Sequence, residues 1–406
     1  MARTTSSARG IDQRPPEGTR PVNDDEETGA IVALKKRSIT RKTKIIGGAV
    51  VAAILIVSGA WVISGVNDRE VTIVAILPLS GWSSYLVEIE DSMTLTVEKI
   101  NRWGGINGMH VRLVVMDCES SPDVAVDKLR EAHERYDPLA VLTATRGAAT
   151  PMSAYAEENG ILLISVGATA ETLTEGKDWI FRYYVTPTGE AETALATLDD
   201  VGAGSVGIIH LDDVYGNPVK NQVVSGFEAS GGVAESYAFS PDSTEFSEAV
   251  TSVADNDAVF VVALRHQFPY IFEELNSSGY SGHVLAAVEA SIPEMWGLPA
   301  AEGALVSAPL MYYPGAAIDT EFVLEFEQRY GVPLTHQGAI GSDVLKLIWG
   351  LLSDGEVSMD NLRAQLTSDF VFSGILGVVT VEGGAHNIDV AVYPAVIEGG
   401  ELQYRL

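Results

Sequence analysis

Residues 139–169 read LAVLTATRGAATPMSAYAEENGILLISVGAT. Two apolar runs, LAVLTA (139–144) and ILLISV (161–166), flank a segment whose residues 151–159 suit a helix. Both runs are apolar at successive positions, as strands buried on both faces should be. Two such strands joined by a helix make a parallel βαβ unit. Each run ends in small residues, Arg146-Gly147-Ala148-Ala149-Thr150 and Gly167-Ala168-Thr169. Thr150 before Pro151 predicts an N-cap followed by proline at the first helical position. The first loop then offers free backbone N–H groups at a helix N-terminus, where the dipole favours an anion. The second adds one hydroxyl and little bulk. Two adjacent loops of this kind suit a carboxylate.

The same rhythm extends outward from this unit. Strands are expected at 71–77 and 110–117, and helices at 87–103 and 122–135. A second run begins near Thr188, with helices at 189–200, 216–230, 245–254 and 268–278 and strands at 206–211, 233–239, 258–264 and 283–289. A helix at 340–352 follows, and then the late strands FSGILGVVTV and VAVYPAVIEGG. The fold class is α/β, with two doubly wound parallel-sheet lobes and a cleft between them. Ligands of open α/β sheets bind beyond the carboxyl ends of strands. The loops after residues 77, 144, 166, 211, 264 and 289 are therefore the candidate site.

The chain has 406 residues, of which 46% are hydrophobic, and a formal net charge of −29. Residues 1–44 carry ten Lys and Arg against six Asp and Glu, so the acidity lies entirely beyond them. Such a surface repels nucleic acid and anionic lipid. Residues 1–30 are polar with Pro15, Pro16 and Pro21, and are expected to be disordered. Ile45 to Val66 is free of charge and long enough to cross a bilayer. Lys35, Lys36, Arg37, Arg41, Lys42 and Lys44 precede it, which predicts a cytoplasmic N-terminus and an extracytoplasmic remainder. The long preceding tail and the lack of an A-x-A site favour an uncleaved anchor over a signal peptide. Trp61 suits an interfacial position.

Other chemistries find little support. Cys118 is the single cysteine, so no intrachain disulfide or cysteine metal cluster can form. Gly202-Ala203-Gly204-Ser205-Val206-Gly207 matches a dinucleotide fingerprint, but it precedes a strand and opens no helix. It reads as a helix-to-strand turn, and no cofactor is expected. The seven His show no metal-ligand spacing, and His210, Asp212 and Asp213 read better as loop residues than as a cation site. No metal is expected. No nucleophile, base and orienting group assemble, so an enzyme is not expected. Asn276-Ser277-Ser278 is a glycosylation sequon without further support.

The order of several stretches resembles the periplasmic binding proteins of the leucine/isoleucine/valine type. They are LPLSGWSS, EKINRWGGINGMHVRLVVMD, RGAATPMSAYAEENGILLISVGAT, HLDDVYGNPV, AAVEASI, AEGALVSAPLMYY, GSDVLKLI and FSGILGVVTVEGGAHN, spread over most of 71–406. The resemblance implies lobes joined by hinge crossovers that close on a small ligand. It implies that Gly167 and Thr169 hold an amino acid's carboxylate and ammonium, that Tyr215 faces them from the second lobe, and that Glu289 neutralises the ammonium. Trp82, Tyr85 and Leu86 would meet the side chain. The chain departs from the family pattern at Arg146-Gly147-Ala148, where Ser is frequent, and at Leu264-Arg265, where an aromatic is frequent. Arg146 and Arg265 either point into the cleft, which would suit a ligand with an extra carboxylate, or form salt bridges at its rim.

The resulting expectation is an extracytoplasmic solute-binding protein, not an enzyme, for an amino acid or similar small carboxylate. An ABC permease is the implied partner, and the membrane is reached through residues 45–66. A sensory ectodomain that signals through a membrane partner is the alternative. The expected division is 1–44 tail, 45–66 anchor, 67–187 with about 316–372 as lobe 1, and about 188–315 with 373–406 as lobe 2.

Overall fold

The computed structural model describes residues 69–81, 86–313 and 319–406. The tail, the 45–66 run and the cleft candidates Trp82 and Tyr85 lie outside the described residues. Residues 67–406 form one compact unit. Among the described residues no helix is long and apolar enough to cross a membrane.

Single helical turns aside, the chain first forms β1 (Glu70–Leu77), α1 (Val87–Arg102), β2 (His110–Asp117), α2 (Pro122–Tyr136), β3 (Ala140–Thr143), α3 (Arg146–Asn159), β4 (Leu163–Ser165) and β5 (Ile180–Tyr184). It continues through α4 (Pro187–Asp200), β6 (Ser205–Leu211), α5 (Gly216–Ala229), β7 (Val233–Phe239), α6 (Ser247–Val253), β8 (Ala258–Val262), α7 (Phe268–Ser277), β9 (His283–Ala286) and β10 (Leu305–Ala308). Last come α8 (Thr320–Tyr330), α9 (His336–Leu351), α10 (Met359–Leu366), β11 (Phe370–Gly374), β12 (Gly377–Val381), β13 (Asn387–Asp389), β14 (Tyr393–Glu398) and β15 (Glu401–Tyr404).

A six-stranded sheet, in the order β13-β5-β4-β3-β1-β2, is the centre of lobe 1. All its pairs are parallel. A seven-stranded sheet, β15-β14-β10-β9-β8-β6-β7, is the centre of lobe 2. It is parallel apart from the antiparallel β10–β14 and β14–β15 pairs. Each sheet therefore reverses its winding once, between β1 and β3 and between β6 and β8. Such switch points open a crevice at the strand carboxyl ends, because the flanking loops leave in opposite directions. The expected βαβ rhythm is thus present in both lobes.

The structure differs from the sequence expectation at several points, and β10, α8 and α10 are elements that the sequence did not predict. β5 was not foreseen, because Arg182 interrupts the apolar run IFRYY; its guanidinium is fully buried and fully engaged. It donates to the carbonyls of Tyr184 (3.2 Å) and Val185 (3.3 Å) and to Asn387 Oδ1 (3.0 Å), and it pairs with Asp389. Tyr184, Val185 and Asp389 lie on two of the segments that pass between lobes, 184–187 and 389–393, so Arg182 ties the hinge strands together. FSGILGVVTV is a β11–β12 hairpin and not one strand. Residues 373–389, expected in lobe 2, stay with lobe 1: Val379, Val381 and Ile388 join its core, and β13 pairs with β5.

The start of α3 also moves. It begins at Arg146, five residues before the expected position, with Thr145 as N-cap and Pro151 inside the helix. Thr145 holds φ 68°, which a β-branched residue rarely adopts. Its hydroxyl accepts from Ala148 N at 3.4 Å. Strain of this kind gathers where a loop is shaped for a ligand.

α9 is buried through most of its length. It lies so close to α1 that a Cβ on Gly341 would meet Ser92 Oγ at 2.5 Å and Ile89 O at 2.7 Å. This approach sets His336 and Gln337, the first residues of α9, beside Glu88 in the first turn of α1.

Candidate functional site

A cavity of about 160 Å³ lies where the two switch points face each other. From lobe 1 it is lined by Leu86, Ile89, Ala144, Thr145, Arg146, Gly147, Val166, Gly167, Thr169, Tyr184 and Gln337, and from lobe 2 by Tyr215, Leu264 and Glu289. Among the expected site residues the structure thus brings together Arg146, Gly147, Gly167, Thr169, Tyr215 and Glu289. Ala148 and Ala168 are instead buried in the apolar layer with Val74, Ile76 and Met152. Arg265 stands outside the lining, at the edge of the cleft.

The lobe-1 wall is made of backbone and small side chains. Arg146 and Gly147 open α3, so their N–H groups have no partner within the helix. A Cβ built on Gly147 would have Thr145 Oγ1, at 4.0 Å, as its nearest neighbour, so space and not packing surrounds this glycine. Thr169 Oγ1 is buried on the wall and bonds to no protein group among the described residues. Leaving a buried hydroxyl unpaired costs about 1–3 kcal/mol, which a ligand's polar group would recover. Leu86, Ile89, Ala144 and Val166 supply an apolar floor beside these groups.

The lobe-2 wall is a carboxylate with its donors already in place. Tyr184 OH donates to Glu289 Oε1 at 3.0 Å, and Gln337 Nε2 donates to Oε2 at 2.6 Å. His336 Nε2 lies 3.2 Å from Tyr184 OH and 3.9 Å from Glu289 Oε1. Burial opposes the charge on Glu289, but His336, Tyr184 and Gln337 more than offset it and hold the carboxyl below its usual value. Glu289 is therefore an anion facing the cavity. Tyr215 follows Asp213, whose Oδ1 accepts from Tyr215 N at 2.8 Å and Gly216 N at 2.9 Å. The side chain of Asp213 thus fixes the start of α5, and with it the Tyr215 ring.

Both arginines bridge the lobes. Arg146 pairs with Asp213. Arg265 donates to Glu294 Oε2 (2.8 Å) in its own lobe and to Glu88 Oε1 (3.2 Å) and Gln337 Oε1 (3.2 Å) across the cleft. Thr335 also donates to Glu88, at 2.7 Å. Of the two arrangements the sequence left open, the structure shows salt bridges, with Arg146 contributing to the cavity wall as well. Asp213 serves as a cap and an ion-pair partner, and among the described residues no group of His, Cys, Asp and Glu could hold a metal ion.

The sequence did not point to Tyr184, Gln337, His336, Glu88 or Glu190. Tyr184 had a signal in the β-rich run IFRYYV that follows the second loop. The others are single residues at helix starts, and only the packing of α9 on α1 and of α4 on α5 brings them to the cleft.

The family profile described as periplasmic binding protein matches residues 70–401. The chain belongs to that family. Over 56% of its length it is 25% identical to the chemotactic signal transduction system substrate-binding protein BasB of Halobacterium salinarum. Over 56% it is 26% identical to Leu/Ile/Val-binding protein homolog 3 of Brucella melitensis. The matches span 59% and 64% of those relatives, less than two thirds of either. The relatives are binding proteins and not enzymes. Among solved structures, the branched-chain amino acid transporter substrate binding protein LivJ of Streptococcus pneumoniae, in complex with isoleucine, superposes with a TM-score of 0.72 at 19% identity. That likeness covers 82% of this periplasmic binding protein and 98% of the other chain, and it shows a shared fold.

Proposed function

We propose that this periplasmic binding protein captures a small amino acid between its lobes and delivers it to an ABC importer. One observation supports the reading above the rest: Thr169 Oγ1, a hydroxyl unpaired among the described residues, and an ionised carboxylate, Glu289, stand on opposite walls of one cavity. The ligand's carboxylate would take the N–H groups of Arg146 and Gly147 and the Thr169 hydroxyl. Its ammonium would take Glu289 and Tyr215. The side chain would lie on Leu86, Ile89, Val166 and Leu264, which favours an apolar one.

Arg146 and Arg265 each have carboxylate partners, so nothing in the cleft favours a second ligand carboxylate. The names of the relatives, Leu/Ile/Val-binding among them, agree with an apolar amino acid. Trp82 and Tyr85 belong to the proposed side-chain pocket on sequence grounds. A ligand that bridges both walls binds only the shut form and so draws the lobes together. The apolar run 45–66 would hold the binding domain at the outer face of the membrane. Sensing through a membrane partner would use the same closure, and no feature of the cleft favours it over delivery.

Thermal unfolding of residues 67–406 against isoleucine, leucine, glutamate, benzoate and a sugar tests the reading. At a hundredfold excess over its dissociation constant a binder adds about 2.7 kcal/mol. A shift with isoleucine or leucine and none with glutamate is the expected result. No shift with any amino acid would overturn it.

A further inference from the structure

Behind the lobe-2 wall lies a second carboxylate. Glu190, in the first turn of α4, is 0% exposed. Its Oε1 accepts from Tyr215 OH at 2.8 Å, and its Oε2 accepts from Val288 N at 3.0 Å. Tyr215 lines the cavity, and Val288 immediately precedes Glu289. One buried side chain thus holds Tyr215 directly and the backbone next to Glu289, the two polar lobe-2 residues of the cavity lining.

We propose that Glu190 is a positioning residue whose proton decides whether Tyr215 offers the cleft a lone pair or a hydrogen. This rests on the reading above, that the ligand carries an ammonium. An ionised carboxylate only accepts, so the one phenolic hydrogen of Tyr215 is committed to Glu190 and its lone pairs face the cavity. A proton taken from solvent settles on Oε1, because Val288 N–H already points at Oε2. The acid then donates to Tyr215 Oη, and the phenolic hydrogen swings toward the cavity. The first state accepts from an ammonium; the second opposes one.

The surroundings allow both states. α4 packs on α5, β10 and β14. From α5 the residue that reaches Glu190 is the cap Tyr215; Lys220 bonds to Asn221 (2.6 Å), and Glu228 is exposed. β10 (LVSA) has no titratable side chain, and on β14 Tyr393 is half-buried and Glu398 exposed. Glu289, backed by His336 and Tyr184, is the remaining charge. Burial pushes the Glu190 carboxyl up to about 7, with Val288 N–H and Tyr215 OH pulling down and Glu289 adding to the rise. An ammonium bound at Glu289 favours the ionised form, so binding expels the proton and affinity rises with pH.

The test is calorimetric titration of the full chain with L-isoleucine at pH 6, 7 and 8, in buffers of different ionisation enthalpy. In the wild type, affinity should rise about three- to tenfold from pH 6 to 8, with proton release, because one proton is worth at most tenfold per pH unit. In Glu190→Gln the amide oxygen must serve Val288 N–H, so the NH2 group faces Tyr215 and fixes the donor state. That variant should bind as weakly as the wild type at pH 6, with a flat profile. His336 backs Glu289 on the same wall, so His336→Gln is measured too. A pH step that survives in Glu190→Gln and disappears in His336→Gln would overturn the proposal, as would a flat wild-type profile.

Thermal unfolding without ligand reads the proton independently. The folded-state value lies above the ordinary 4.5, so the stabilising contribution is full below about 4.5 and is lost as pH rises through about 7. The wild type should therefore lose melting temperature relative to Glu190→Gln between pH 5 and 8, and a constant difference would also overturn the proposal. If isoleucine fails to bind at every pH, the amino-acid reading falls and takes the ligand part of this proposal with it. The unfolding difference would still decide whether Glu190 titrates.

Discussion

On the lobe-1 wall of the cleft the polar groups are backbone amides and one hydroxyl, and among the described residues the Thr169 hydroxyl has no protein partner. On the lobe-2 wall every polar group named here already has one: Glu289 is held by Tyr184 and Gln337, and Tyr215 by Glu190. The first wall gains from any ligand that supplies an acceptor. The second must bring extra attraction to what is already satisfied, and a buried anion does so only for a cation. The two walls therefore select opposite ends of one zwitterion. The lobe-1 wall is a cradle built within its own lobe, from the start of α3 and the 167–169 turn, whereas the lobe-2 wall is a network that reaches across the cleft to Tyr184, His336 and Gln337.

The sharpest way to break this comparison is Glu289→Gln. The change keeps the volume and removes the one anion that the cavity presents. Losing a buried, hydrogen-bonded charge partner costs about 3–5 kcal/mol, so isoleucine affinity should fall by at least about a hundredfold in calorimetric titration. Unchanged affinity would take Glu289 out of the ligand's reach and leave the second wall structural. Its pH dependence has a definite sign. The folded-state value lies below 4.5, so the Glu289 contribution to stability is present above 4.5 and fades as pH falls through the lower value.

Thr169→Val addresses the other wall. The hydroxyl makes no bond among the described residues, so the ligand-free melting temperature should hold or rise slightly. Binding should weaken about tenfold, the worth of one hydrogen bond to a charged group. A loss of stability with unchanged binding would mean that the hydroxyl serves the fold. Gly147→Ala is the milder companion. Among the described residues its methyl group meets nothing nearer than 4.0 Å, so folding should be unaffected while the amide cradle narrows. A few-fold loss of affinity is expected, and no change would place the ligand away from α3.

The two walls also differ in how far the sequence revealed them. Strand ends and small loops are local features, and Gly147, Gly167 and Thr169 stood out because an apolar strand stops there on residues with almost no side chain. Even so, the start of α3 was misplaced, since a threonine at positive φ as N-cap breaks the local rules that Thr150-Pro151 obeys. Tyr215 and Glu289 came by resemblance. Glu190 did not come at all: a glutamate in the first turn of a helix is ordinary, and its burial is decided by α5 and the 288–290 turn. Arg182 misled for the same reason. A charge inside a strand reads as an interruption unless the carbonyls of the hinge segments that satisfy it are known.

The smallest expected effect concerns the rim. Arg146 and Asp213 join the walls directly, with side-chain exposures of 28% and 12%. Arg146 keeps enough access to water for its charge to be screened, so the pair contributes about 1 kcal/mol and weakens with salt. Asp213→Asn should therefore weaken isoleucine only a few-fold, mainly through faster dissociation, because the pair joins the two lobes. Asn can still accept from Tyr215 N and Gly216 N, so the start of α5 should survive and Tyr215 should keep its place. The informative quantity is the coupling in a cycle with Arg146→Met. If the pair acts only in closure on a ligand, its coupling appears in ligand affinity, shrinks at high salt and is missing from the unfolding of the ligand-free protein. A coupling of equal size in ligand-free unfolding would mean that the lobes are already latched without ligand, and the lobe-2 wall would then be as fixed as the lobe-1 wall.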